Sequence, residues 1–345
     1  MTFKNLFKKS FKFTILTLLL LPSLVSLTLL YFYWQSGQRE TFSASQLAPQ
    51  SGRYVSNMDS EIFIQEAGPA NGQAVLLVHG TGAWSETWKP TMAVLAKGGF
   101  HAIAIDLPPF GFSRRDAITD FSKLTQGQRI VGVIDAMKLQ NVLLVGHSFG
   151  GGPTMEAALR RPEKIRGVVL VDAALSVSSL NEQVDFYPPG KLSRLLSYTG
   201  LRDAIVATFL TNPLFTHRLL TLFIDNPVHA TDEWVARYRQ PLVVQGSTTS
   251  VSRWLPELLS PLRVAPSERP SSYAKITFPL HLIWGERDSI TPLEQALYIE
   301  KIAPTSRLRV IPGVGHIPQI EAADIFNHVL LSELKSLPPV TPSSE

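Results

Sequence analysis

The sequence predicts an α/β protein: a mostly parallel sheet flanked by helices. Three observations point there. Mostly apolar runs recur at residues 74–78, 101–107, 142–145, 166–171 and 280–284, without the regular polar alternation of a strand that has one wet face. Segments of helical periodicity lie between most of them. Several runs stop at a turn carrying serine, aspartate or histidine, at the strand ends where open α/β sheets place ligands.

The chain of 345 residues suits one large catalytic domain with an insertion and an appendage. The appendage comes first. Lys4, Lys8, Lys9 and Lys12 precede an uncharged, mostly apolar run from Phe13 to Trp34 that closes on Tyr31, Phe32, Tyr33 and Trp34. That is roughly the length of a bilayer-crossing helix, about 20 residues, with an aromatic belt at its end. The expectation is a single-pass membrane anchor over residues 1–38, N-terminus cytoplasmic and catalytic domain extracytoplasmic. Two alternatives stand beside it: a secretory signal cleaved downstream near Ser43-Ala44-Ser45, and a buried core helix.

Charge supports treating this tail separately. Residues 1–38 hold four lysines and no acids, so of 32 Lys+Arg the remainder carries 28 against 28 Asp+Glu. The net positive charge belongs to the tail, and no basic patch interleaved with aromatics points to nucleic acid. The absence of cysteine excludes disulfides, thiol catalysis and thiolate metal sites, and suits an exported domain with a large core.

Residues 39–53 are polar and read as a linker. Residues 61–65 alternate, as an early antiparallel strand does, and the run 74–78 is a buried strand ending in His79-Gly80-Thr81-Gly82. A helix capped by Ser85 runs to the glycine stop Gly98-Gly99, then 101–107 returns to the sheet. Residues 124–139 are helical. The next strand ends in Gly146-His147-Ser148-Phe149-Gly150, with a helix-compatible stretch after it. Strand, sharp turn and helix put Ser148 at a strained apex whose neighbours Gly146 and Gly150 must lack side chains. There the Ser148 hydroxyl projects above the sheet and the Phe149 N–H faces any oxyanion that forms.

A base and an acid follow in a compatible order. Asp288 comes just past the strand 280–284, and His316 just past the strand 308–311, in Gly313-Val314-Gly315-His316. Of eight histidines it is the one delivered by such a flexible loop after a strand. Asp172, at the end of the strand after the elbow helix, is the alternative acid; its other reading is a cap for the following turn.

With Val78-His79-Gly80-Thr81-Gly82, Asp106 to Ser113, the elbow, Trp284 to Asp288 and Gly315-His316-Ile317-Pro318 in this order, the chain from about Tyr54 to Leu337 resembles the α/β-hydrolase fold superfamily. The likeness is to its capped esterase, C–C hydrolase and dehalogenase-like branch. The resemblance implies a core of residues 54–175 and 276–337 with a helical cap, 176–275, inserted after the sixth strand. It implies a second oxyanion donor from the Thr81 N–H, with Gly82 as alternative. His79 precedes that turn and reads as a structural or pocket-lining side chain and not as a base. Pro109 stands where the commoner family form has glycine, so that loop is expected to take its own path at the pocket rim. The apolar content of residues 176–273 suggests a lipophilic covered pocket. Thr291-Pro292 opens a helix with threonine as cap, residues 322–337 close the domain, and 338–345 form a frayed tail.

The function these residues imply is a membrane-anchored serine hydrolase cleaving a lipophilic carboxylic ester or other small acyl substrate, with no cofactor and no metal. Serine at the elbow argues against dehalogenase and epoxide hydrolase chemistry, which in this fold use aspartate. C–C bond hydrolysis by the same triad is the alternative, and a non-catalytic scaffold the reading from another class. A phosphate loop is excluded, because Gly152-Pro153-Thr154 lacks the lysine such a loop needs.

Overall fold

The computed structural model describes residues 3–115 and 118–337, with side chains from residue 20 onward. Eight strands make one sheet: β1 (Gly52–Ser56), β2 (Glu61–Ala67), β3 (Gln73–Val78), β4 (Phe100–Ile105), β5 (Val142–His147), β6 (Ile165–Val171), β7 (Leu280–Gly285) and β8 (Ser306–Ile311). Their order is β1-β2-β4-β3-β5-β6-β7-β8. β1 and β2 pair antiparallel, β2 runs antiparallel to β4, and every later pairing is parallel.

The runs are mostly apolar because both faces of the sheet are covered. Leu76, Ile103, Leu144 and Leu170 point into one core, and Leu77, Ala104, Val145 and Val169 into the other. On one side lie α4 (Lys123–Ala136) and α5 (Gly151–Arg160), together with α12 (Leu293–Ile302). On the other lie α3 (Lys89–Lys97) and α14 (Ala323–Ser336). β3 is flanked by β4 and β5, so the chain reverses its direction of travel across the sheet there. That switch point opens a crevice at the strands' carboxyl ends.

Between β6 and β7 the chain leaves the sheet and builds α6 (Lys191–Leu196), α7 (Thr199–Phe209), α8 (Thr216–Phe223), α9 (Asp232–Arg239), α10 (Ser247–Leu259) and α11 (Pro270–Ala274). The insertion after the sixth strand is therefore helical. The short α13 (Pro318–Glu321) precedes α14.

Four details differ from the sequence reading. Ser85 does not cap a helix. A 3-10 turn, Ser85–Trp88, leads into α3, and the Ser85 N–H donates instead to Asp106 Oδ1 at 2.6 Å. Thr291 does not cap α12, where Pro292 takes the cap position and the threonine hydroxyl is engaged elsewhere. The strand β1 lies partly in the stretch read as a linker, because its polar edge sequence shows no apolar alternation. The rest of that linker is no bare tether either. It forms α2 (Ala44–Leu47), and Phe42 pairs with Val244 of the insertion.

The N-terminal segment is one helix, α1 (Phe3–Arg39), which packs on α7. The first part of the expected membrane span, residues 13–19, lies outside the described side chains. Among the described residues no helix is long and apolar enough to cross a membrane. The expected tail, 338–345, also lies outside the described residues.

Candidate active site

Ser148 sits at the turn between β5 and α5 with φ of 51°, the left-handed region that side chains avoid. Holding it there costs of order 1–3 kcal/mol, met by packing around the turn. Gly146 and Gly150 are required by contact. A Cβ at Gly146 would lie 2.5 Å from Thr154 Oγ1, and one at Gly150 would lie 2.5 Å from the His79 carbonyl.

The loop after β3 closes on the same point. A Cβ on Gly80 would lie 3.0 Å from the Ser148 Cβ. Thr81 and Gly82 line the same cavity as Ser148, and Phe149 follows Ser148 in the turn. His79 serves this loop rather than the chemistry. Its Nε2 accepts the Leu107 N–H at 2.9 Å, so Nδ1–H donates to the Gly80 carbonyl at 2.8 Å. Burial pushes its pKa down to about 4 and keeps it neutral.

The serine, imidazole and carboxylate form one line. Ser148 Oγ lies 2.8 Å from His316 Nε2, and His316 Nδ1 lies 2.8 Å from Asp288 Oδ2. All three are buried. The network sets the tautomer: Nδ1–H donates to the carboxylate, so Nε2 accepts the serine proton. Burial alone would raise the Asp288 pKa. Hydrogen bonds from His316 and from the Thr291 hydroxyl and N–H outweigh it and bring the group down to about 2.

Asp172, the alternative acid, does not join this line. Its Oδ1 accepts the Gly285 N–H at 2.8 Å. Burial, and next the charge of Asp288, push its pKa well above the usual carboxylate range. The charge of Asp288 disfavours a second charge on Asp172, and His316 faces Asp288.

Three supporting residues were not legible in the sequence. Thr291 Oγ1 donates to Asp288 Oδ2 at 2.6 Å, and it lies 3.0 Å from the Asp172 carbonyl and 3.2 Å from His316 Nδ1. His147 Nε2–H donates to the His316 carbonyl at 2.9 Å, and the insertion's Phe223 carbonyl accepts the His316 N–H at 3.2 Å. Burial, then the neighbouring His316, lower the His147 pKa to about 3, so it stays a neutral donor. Glu321 accepts the N–H groups of Gly315 at 3.2 Å, Ile317 at 3.3 Å and Asp225 at 2.8 Å, tying the histidine loop to the insertion.

Above Ser148 lies a cavity of about 1020 Å³ including its open mouth. Its roof comes from the insertion, with Leu210, Phe223 and Trp254 among its walls. Trp254 meets Phe110 edge-on at 4.9 Å between ring centres and Phe149 at 5.4 Å. The rim carries the Pro108-Pro109 bond as cis. Arg115 also lines the cavity. It donates to the Pro109 carbonyl at 2.7 Å and to that of Gly111. Among the described residues no cluster of His, Asp or Glu could hold a metal ion.

A buried serine, imidazole and carboxylate at the carboxyl ends of the parallel strands β5, β8 and β7 define a hydrolase of the α/β class. The family profile of the alpha/beta hydrolase fold matches residues 73–323, and the chain belongs to that family. It is 28% identical over 298 residues to a 2-hydroxymuconate semialdehyde hydrolase of Pseudomonas sp. (strain CF600), covering 82% of this chain and 94% of the relative. Among solved structures it resembles a meta-cleavage product hydrolase from Pseudomonas fluorescens IP01, with TM-score 0.65, 25% identity and coverage of 82% and 97%. An esterase from Exiguobacterium antarcticum shares the fold, with TM-score 0.65, 22% identity and coverage of 83% and 100%.

Proposed function

We propose that the protein is a serine hydrolase that cleaves carboxylic esters of lipophilic acyl compounds through an acyl-enzyme. The observation that carries this reading is the line from Ser148 Oγ through His316 to Asp288, two contacts of 2.8 Å, beneath a largely apolar cavity. Ser148 Oγ attacks the carbonyl carbon while His316 Nε2 takes its proton. The imidazolium, held by Asp288, then protonates the departing alcohol. Water adds to the acyl-enzyme by the reverse transfers, freeing the acid and restoring the Ser148 hydroxyl. The Phe149 and Thr81 N–H groups are the proposed oxyanion donors, where losing one typically costs about 3 kcal/mol.

Full-length protein treated with a fluorophosphonate probe tests the nucleophile, and a chain-length series of p-nitrophenyl esters tests the substrate. Labelling and turnover that vanish in Ser148→Ala and His316→Ala support the reading. Absence of labelling in folded protein refutes it.

The similarity to a 2-hydroxymuconate semialdehyde hydrolase favours a second reading, C–C bond hydrolysis by the same residues. Arg115 is the one Lys or Arg among the described residues lining the cavity, where a carboxylated substrate would meet it. Bleaching of a coloured dienoate meta-cleavage product without ester turnover would select this reading.

Residues 1–38 are proposed to anchor the enzyme in a bilayer, with the catalytic part extracytoplasmic. Support comes from the four lysines at one end and the outward-facing Leu20, Leu24, Leu27, Leu30 and Trp34 on α1. The alternative is secretion after signal cleavage. Resistance of the full chain to carbonate extraction, with protease access only from outside, is expected. A shortened chain in the medium would overturn it.

A further inference from the structure

We propose that Glu40, at the end of the N-terminal helix, is a positioning residue for the substrate cavity, so that residues 39–48 form part of its wall support. The residue capping α10 is Gly246, which has no side chain to satisfy the free N–H groups of the first turn. Glu40 supplies the acceptor from 208 residues away. Its Oε1 and Oε2 accept the Thr248 N–H at 3.1 and 3.2 Å, and Oε1 also accepts the Thr248 hydroxyl. A carboxylate at a helix N-terminus is favoured by the unpaired N–H groups and the helix dipole together.

Around it the contacts continue. Arg39 Nε donates to the Leu242 carbonyl at 3.3 Å, the Phe42 N–H to that of Val243 at 3.3 Å, and the Gln245 N–H to that of Phe42 at 2.8 Å. The Glu40 side chain is 8% exposed, so this is a built contact and not a surface encounter.

What the clamp holds is the cavity wall. Thr248 Oγ1 lies 2.7 Å from Thr211 Oγ1, and Thr211, Leu242, Ser247 and Val251 all line the cavity above Ser148. The hydrogen bonds of the clamp do not involve Ser148, His316 or Asp288, which bond to one another and to their own neighbours. Loss of Glu40 is therefore expected to loosen the acyl-binding wall and leave the bond-making groups in place.

The proposal rests on the esterase reading above, and its test separates the two. Full-length wild type, Glu40→Ala, Glu40→Gln and Thr248→Val are compared on p-nitrophenyl acetate and p-nitrophenyl decanoate, with fluorophosphonate labelling and amide hydrogen exchange. Glu40→Ala should raise KM for the decanoate about tenfold with kcat nearly unchanged, while acetate turnover and labelling stay within about twofold. Glu40→Gln, which keeps one acceptor for the Thr248 N–H, should recover most of the loss. Thr248→Val should show a weaker form of the same split and stands in if Glu40→Ala does not fold. Equal losses on both esters, or none, overturn the proposal, even if exchange in residues 247–251 quickens. If wild type turns over neither ester, the esterase reading has failed. The clamp is then read from labelling by a long-chain against a methyl fluorophosphonate, or, without labelling, from exchange in residues 247–251. Unchanged values in Glu40→Ala overturn it.

Discussion

Asp288 Oδ2 lies 2.8 Å from His316 Nδ1, while Asp172, at the end of the strand beside it, turns Oδ1 to the Gly285 N–H instead. Both carboxyls follow adjacent parallel strands, so position along the chain does not separate them. Hydrogen bonding does. Asp288 collects four donors and stays charged, and Asp172 is buried with its pKa pushed well up.

Asp288→Asn should therefore lower kcat by roughly 10³–10⁴-fold, because the amide cannot hold the imidazole in the tautomer that accepts the serine proton. Asp172→Asn exchanges a carboxyl whose burial disfavours its charge for a near-isosteric amide that still accepts the Gly285 N–H, and kcat should stay within a few-fold. Ester turnover by the two variants checks this. A larger loss in Asp172→Asn would reassign the acid.

Thr291→Val removes the hydroxyl that donates to Asp288 at 2.6 Å and keeps the shape of the side chain. A buried hydrogen bond to a charged group contributes about 1.5–3 kcal/mol. The expected result is a kcat/KM loss of about tenfold or more with a lowered melting temperature. Unchanged kinetics would show that the His316 contact alone holds the carboxylate.

Glu321→Gln leaves one oxygen for three N–H groups, those of Gly315, Ile317 and Asp225. The histidine loop should then sample more positions, lowering kcat about tenfold with little change in KM. Parallel stopped-flow acylation locates the loss in the proton-transfer step. A pure KM effect would move the role of Glu321 to the insertion.

The sequence carried the fold where local physics decides it. Apolar runs such as residues 142–145 announce strands covered on both faces, and the glycines around Ser148 announce a turn with no room for a Cβ. The histidine was readable from its place after a strand, and the acid as one of two candidates so placed, Asp288 and Asp172. Contacts between distant residues were not. Glu40 meets Thr248 across 208 positions, and Glu321 meets Asp225 across 96, with no local pattern to mark either. Thr291 was misread for a related reason: threonine before proline is an ordinary helix opening, and only the folded chain brings its hydroxyl to Asp288.

The two carboxyls should also differ in how stability follows pH. Asp172 has a folded pKa well above its unfolded value of 3.8, so above 3.8 the folded chain holds a proton that the unfolded chain has released. Its contribution to stability then falls as pH rises, by about 1.4 kcal/mol per unit, until the folded pKa is passed. Asp288 has the opposite sign: its folded pKa is lowered to about 2, so its contribution is complete above 3.8 and is lost as pH falls toward 2. Denaturant unfolding of wild type and both Asn variants between about pH 4 and 8 checks this. Asp172→Asn should gain on wild type as pH rises, and the Asp288→Asn difference should stay level above about pH 5. A level difference for Asp172→Asn would mean that Asp172 ionises at its ordinary pKa, and the effect of burial and of the Asp288 charge on it would have to be abandoned.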